Sequence, residues 1–251
     1  MEQNLLEIKN LRVHYVTDTE DVQAVNGVDL HLKKGEVLGL VGETGAGKTT
    51  VALSVMQLVP DPPGIILDGE ILFKGRNLIY NSDRENQEMR GNGISMIFQD
   101  PMTALNPIMT IGQQLAEVVI KHKKLSKKAA MEVAAEMLER VGVTRDRIND
   151  YPHQFSGGMK QRAIIAMALL CNPEILIADE PTTALDVTIQ AQVLEIIRSL
   201  IRENEMSMIL ITHDLGVVAE TCDQVAIMYA GEVFRLGCLY ESQAPLHARS
   251  L

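Results

Sequence analysis

The chain has 251 residues, 46% of them hydrophobic, and a formal net charge of −10, which allows one α/β domain with an insertion and a substantial core. The acidic balance argues against a nucleic-acid groove, which needs a basic footprint. The longest apolar run, Ala163 to Cys171, is far short of the roughly 20 residues of a spanning helix, and no secretory leader opens the chain, so a cytosolic protein is expected, with any membrane role acting through a partner.

Taken in order, Leu5–Tyr15 alternates loosely and predicts a strand, followed by a polar turn at Thr17–Asp21 and a second strand near Val22–Leu32. Val37–Val41 is a short apolar run that leads into Gly42-Glu43-Thr44-Gly45-Ala46-Gly47-Lys48-Thr49, with a helix expected from Thr49. That octet fits GxxxxGK[ST], and the strand, loop and helix around it mark a phosphate-binding P-loop. Its glycines let backbone N–H groups turn inward around phosphate oxygens, and the helix start adds positive potential. Lys48 is then expected on the β- and γ-phosphates, the Thr49 hydroxyl on Mg²⁺, and Thr50 at the end of the phosphate-binding run.

Ile94–Phe98 predicts a further strand, ending at Gln99. From about residue 110 to 170 the pattern turns helical, with helices expected at Ile111–Lys121, Lys127–Val141 and Gly157–Leu170. Lys121, Lys123, Lys124, Lys127 and Lys128 cluster here, as a solvated face or a lipid-headgroup contact. Ser156 is placed to cap the third helix, and Gly157 and Gly158 would expose backbone N–H groups at its positive end, a second anion site. Ile175–Asp179 then predicts a buried strand ending in Asp179 and Glu180. Asp179 stands where a Mg²⁺-organising carboxylate belongs in an open α/β sheet, and Glu180 beside it is suited to polarising an attacking water.

Strands at Met208–Thr212 and Gln224–Tyr229 alternate with helices at Val187–Glu203 and Leu215–Glu220, and Val193, Ile197, Leu200 and Ile201 stripe one face of the longer helix. This alternation predicts a mostly parallel sheet covered on both sides. Cys171, Cys222 and Cys238 form no CxxC pair and are read as small buried hydrophobes.

Phe155-Ser156-Gly157-Gly158-Met159-Lys160-Gln161-Arg162 resembles the LSGGQ segment of ABC-transporter ATPases, and other motifs fall in that family's order. The resemblance implies an ABC-ATPase fold: an α/β P-loop core of residues 1–98 and 172–251 with an N-terminal antiparallel β subdomain, and an inserted helical subdomain of residues 99–171. It makes Gln99 the Q-loop glutamine, a Mg²⁺ or water contact, Ala184-Leu185-Asp186 the D-loop, and His213 the switch histidine that bonds the γ-phosphate. Tyr15 resembles the aromatic that stacks on adenine, although it also suits half-buried strand packing. The expected ligands are ATP and Mg²⁺.

The stretches Met96–Pro107, Tyr151–Phe155 and Ala184–Gln192 look like those of oligopeptide, dipeptide and nickel importer ATPases. The resemblance implies a subunit on the cytoplasmic side of the cell membrane, paired with a second, identical or paralogous cassette beneath two permeases, with an extracytoplasmic binding protein acting indirectly. Ser156, Gly157 and Gly158 then act in trans, each cassette completing the other's P-loop site, and within one chain Ser156 is expected beyond reach of a phosphate held at Lys48. Phe155 and Met159 depart from strict LSGGQ. The final Pro245-Leu246-His247-Ala248-Arg249 starts like the subclass's Pro-x-His-Pro-Tyr segment and then diverges.

Overall fold

Strand β1 (Leu6–Val16) runs antiparallel to β2 (Asp21–Leu32), with Leu6 opposite Leu32 and Tyr15 opposite Val22. The alternation that predicted these strands has a physical outcome: Leu6, Ile8, Leu11 and Val13 face a core shared with Val25, Val28, Leu30 and Leu32. The computed structural model describes residues 4–99, 104–183 and 185–238. On the other side of β1 lies β4 (Gly64–Phe73), also antiparallel, followed by the two-residue β5 (Arg76–Asn77), giving the order β2-β1-β4-β5.

Strand β4 has no counterpart in the sequence expectations, because Asp68-Gly69 inside it reads as a turn. The ladder instead shifts register there, between Lys9 opposite Glu70 and Arg12 opposite Asp68. Gly69 takes φ +109°, and a Cβ on it would lie 2.7 Å from the Leu11 Cα. It is a bulge residue, which bends the strand without ending it.

Strand β3 (Val37–Gly42) leads into helix α1 (Lys48–Val55). It is flanked by two parallel strands, β8 (Ser207–Ile211) and β9 (Gln224–Tyr229), and β10 (Glu232–Cys238) closes antiparallel on β9. Leu38, Leu40 and Val41 of β3 and Met208 to Ile211 of β8 are buried, as expected of strands covered on both faces. Helix α7 (Leu215–Thr221) follows β8. These elements belong to one compact unit, residues 1–86 and 207–251.

Residues 87–206 form the second unit; helix α2 (Asp83–Met89) spans the boundary. In the second unit β6 (Ile94–Ile97) pairs in parallel with β7 (Ile175–Asp179). Its helices are α3 (Ile111–Lys123), α4 (Lys127–Arg140), α5 (Gly157–Leu169) and α6 (Val187–Glu203). The starts of α3 and α4 are capped as their sequences require: Thr110 and Gln113 form a reciprocal capping box, and Ser126 accepts from the Ala129 N–H. The stripe predicted on α6 is its buried face, with Val193, Ile197, Leu200 and Ile201 all sequestered. No helix among the described residues is long and apolar enough to cross a membrane.

Candidate nucleotide site

The P-loop leaves β3 at Gly42 and enters α1 at Lys48. Gly47, at the helix N-cap, has φ +98°, and a Cβ there would lie 2.2 Å from the Ala24 carbonyl oxygen. A Cβ on Gly42 would meet the Met228 carbonyl oxygen, also at 2.2 Å. Both contacts are with backbone, which cannot rotate away, so the loop can be drawn this tightly only with glycine. No side chain caps α1, which leaves the helix start to an outside acceptor.

Lys48 is 6% exposed and its ammonium donates to the carbonyls of Gly42, at 2.7 Å, and Glu43, at 2.8 Å. The loop's own oxygens thus hold the cation within the curve of the loop. Ala46 N–H donates to Glu43 at 3.1 Å, and the Ala46 carbonyl accepts from Gly231 at 3.1 Å. Thr44 and Gly45 form the outer bend, where a Cβ on Gly45 would meet nothing. Thr49 and Thr50 lie in the first turn of α1.

Tyr15 is half-buried near the end of β1, opposite Val22 and Gly64. Its ring packs on Gly64, where a Cβ would stand 2.9 Å from the Tyr15 Cε1. The same strand pair carries Ala24, the residue that the P-loop abuts, two positions from Val22. Tyr15 therefore has a packing role and also a place on the strand pair that touches the loop. His213 follows β8, exposed, between Thr212 and Asp214. Asp214 N–H donates to the Thr212 hydroxyl at 3.1 Å, and the Asp214 carboxylate caps α7 through the N–H groups of Gly216 and Val217. These bonds fix the backbone on which His213 sits.

The second unit brings Asp179, Glu180 and Gln99 together. Asp179 ends β7 with only 2% of its surface exposed. Glu180 adopts φ +45°, a left-handed backbone that costs a non-glycine residue about 1–3 kcal/mol and marks a conformation imposed by its surroundings. Its carboxylate accepts from Gln99 Nε2 at 3.0 Å and from the Thr183 hydroxyl at 2.9 Å, while Thr183 N–H donates to the Glu180 carbonyl at 3.1 Å. Thr183 was not singled out in the sequence. Neither was Gln161 of α5, whose Nε2 donates to the carbonyl of Pro181. A third such residue, Gln114, is buried and holds the loop beyond the Q-loop, accepting from Asn106 N–H at 2.8 Å and donating to the carbonyls of Asn106 and Met109.

Ser156 caps α5 as expected, its Oγ accepting from Met159 N–H at 3.3 Å, which uses a lone pair and not the O–H. Gly157 is exposed, and a Cβ on it would meet nothing within 4 Å. Gly158 differs: a Cβ there would stand 2.9 Å from Ile189 Cγ2 of α6, so this glycine also permits two helices to approach. Asp186 caps α6 through Ile189 N–H at 2.9 Å. Asp100 to Thr103, Ala184, and Pro245 to Leu251, which carry parts of the Q-loop, D-loop and terminal motifs, lie outside the described residues.

A glycine-drawn loop between a buried parallel strand and a helix, with a lysine held in its curve, defines a P-loop nucleotide-binding protein of the α/β class. Residues 25–183 match the family described as ABC transporter. The chain is 54% identical over 239 residues to the oligopeptide transport ATP-binding protein OppD of Bacillus subtilis, covering 94% of this chain and 67% of that one. It is 53% identical to the dipeptide transport ATP-binding protein DppD of the same organism, covering 97% and 74% respectively. Among solved structures it is similar to the dimeric post-hydrolysis state of the ATP-binding cassette MJ0796 bound to ADP and Pi, with TM-score 0.83 and 27% identity over 93% of this chain and 98% of that chain. The chain belongs to the ABC transporter family, as an ATPase cassette.

Proposed function

We propose that this chain is the ATP-hydrolysing subunit of a peptide importer, working as one of a pair of cassettes on the cytoplasmic face of a membrane beneath two permeases. The observation that carries the chemistry is the P-loop, closed so tightly that Gly47 admits no side chain. Support for the cargo class comes from relatives whose names specify oligopeptide and dipeptide transport. A second cassette, identical or paralogous, two permeases and an indirectly acting extracytoplasmic binding protein are the partners in this reading.

Hydrolysis of a γ-phosphate is mainly positioning and charge stabilisation. In this reading the amides of residues 42–50 and Lys48 neutralise the phosphates, and Tyr15 stacks on adenine. Lys48 exchanges its two carbonyl partners for phosphate oxygens, a stronger charge-assisted contact. Thr49, Gln99 and Asp179 offer hydroxyl, amide and carboxylate oxygens, the hard donor set that Mg²⁺ prefers, and would hold it. When bound, Mg²⁺ supplies charge neutralisation at the phosphate oxygens. Glu180, its carboxylate oriented by Gln99 and Thr183, accepts a proton from water, and His213 bonds the γ-phosphate. Ser156, Gly157 and Gly158 serve the phosphate of the partner cassette through the Ser156 O–H and the exposed start of α5.

The test is turnover and ATP affinity in the assembled transporter. Glu180→Gln keeps ATP affinity and loses turnover by about 10² or more, because the amide keeps the shape and cannot accept the proton. Lys48→Ala instead loses affinity. Near-normal turnover of Glu180→Gln removes Glu180 from the base role, and peptide-independent turnover alongside failed peptide uptake removes the cargo assignment.

A further inference from the structure

We infer that Gln161 is a positioning residue for Glu180, and that through it helix α5 sets the aim of the carboxylate. The inference rests on the reading of Glu180 as the group that acts on water.

Gln161 lies in the second turn of α5, 2% exposed, on a helix whose nearby buried residues are Ala163, Ile164, Ile165 and Ala166. Packing at such a place calls for an apolar side chain. The amide is half satisfied: Nε2 donates to the Pro181 carbonyl, and Oε1 has no hydrogen-bond partner among the described residues. A buried amide with an idle oxygen is costly, so its one bond is the feature that distinguishes it from a methionine of similar length.

That bond reaches the carbonyl immediately after Glu180. Pro181 has no N–H with which to anchor itself, so this stretch of backbone must be held by its carbonyl. Gln161 grips Pro181 on one side of the turn, and Thr183 N–H grips the Glu180 carbonyl at 3.1 Å on the other. Between these two fixings Glu180 keeps φ +45°, and its carboxylate meets Gln99 and Thr183. With Pro181 released, the left-handed residue is free to relax toward ordinary backbone angles, which swings the carboxylate away from both donors. Ser156 caps the same helix five residues earlier, roughly 7 Å along the axis at the usual rise. The capped end and the Pro181 anchor are thus held by one and the same helix.

The experiment compares Gln161→Met with the parent in the assembled transporter, reading kcat, the KM for ATP and the melting temperature. Methionine keeps length and apolar packing and removes the donor. The expected result is a kcat lower by about tenfold or more, from a misplaced carboxylate, with KM changed by less than about twofold and no fall in melting temperature, since the idle Oε1 is gone. An unchanged kcat overturns the inference, as does a loss of kcat accompanied by a lowered melting temperature and a raised KM. A second comparison adds Gln161→Met to Glu180→Gln. If Gln161 acts through Glu180, the double variant turns over no more slowly than Glu180→Gln alone; a further loss by the original factor overturns it. Normal turnover of Glu180→Gln sinks the reading of Glu180 itself, whereas an inactive Glu180→Gln with a fully active Gln161→Met sinks only the positioning role.

Discussion

The P-loop and the segment 155–162 are both glycine-bearing helix starts, and they are built in opposite ways. In the P-loop, two glycines are pressed against carbonyl oxygens of Ala24 and Met228, no side chain caps the helix, and the lysine is already folded into the curve. In the other, a serine caps the helix, one glycine borders open space and the second touches only the Ile189 side chain. The first is a socket enclosed by its own unit of the chain. The second is a finished helix end with an unobstructed face, the form suited to meeting a ligand presented from outside. Two sequences that both say "glycine, helix, anion" thus differ in whether the surrounding chain closes around them.

Replacement by alanine separates the two designs. Gly47→Ala should have the largest effect: it places a Cβ on a backbone oxygen at φ +98°, and the cost is about 3 kcal/mol or more. Chemical denaturation together with nucleotide titration should show lost stability and lost ATP binding. A Gly47→Ala variant that binds ATP normally would mean that the loop is slack and the contrast false.

Gly158→Ala should be intermediate. The Ile189 methyl 2.9 Å away can shift, and alanine's better helix propensity offsets part of the clash, leaving a loss of about 1 kcal/mol or less. Gly157→Ala should leave melting and the ATP affinity of the isolated subunit unchanged, while turnover of the paired cassettes falls. If Gly157→Ala destabilises the isolated subunit, the segment is packed and not presented.

Acid sharpens the comparison with a smaller effect. In the unit that carries α5, burial lowers the pKa of His122 on α3 from its usual 6.5, and its ring packs on the Gly91 turn, where a Cβ would stand 3.0 Å from Nε2. A depressed native pKa means that the unfolded chain takes up the proton first, so the stability from neutral His122 is present above pH 6.5 and is lost as pH falls below it. In the P-loop unit Glu85 is lowered to about 2 by the Ser82 backbone N–H, the Arg76 guanidinium and the Ser82 hydroxyl, so its contribution persists until far more acidic conditions. Thermal melts between pH 7.5 and 5.5 should therefore fall, and His122→Gln should flatten that slope. An unflattened slope assigns the acid sensitivity elsewhere.

Much of this was legible because its causes are local. The strand, loop and helix around Lys48 follow from glycine spacing and an apolar run, and the cap at Ser156 follows from a short polar side chain before a helical segment. What escaped depends on contacts distant in sequence. Strand β4 was hidden because Asp68-Gly69 has the composition of a turn, and only the opposing Leu11 backbone makes it a bulge. Strand β10 was hidden because Gly231 before it and Gly237 within it weaken the strand pattern, and its pairing with β9 is what defines it. Gln161 looks like any polar helix residue until Pro181, twenty positions away, folds against it. Even Gly158, read as an anion contact, gains its second reason only when Ile189 arrives.

One small turn carries more than its size suggests. Gly231, between β9 and β10, donates its N–H to the Ala46 carbonyl at 3.1 Å and accepts from Asn26 N–H at 2.7 Å, while Met228 supplies the oxygen that crowds Gly42. The hairpin is thus a keystone, wedged between the β2 strand and the phosphate loop and bonded to both. Strand β10 leaves from this wedge. A displacement of β10 would therefore be felt at once by the β2 strand and by the nucleotide loop, through two backbone hydrogen bonds of a single glycine.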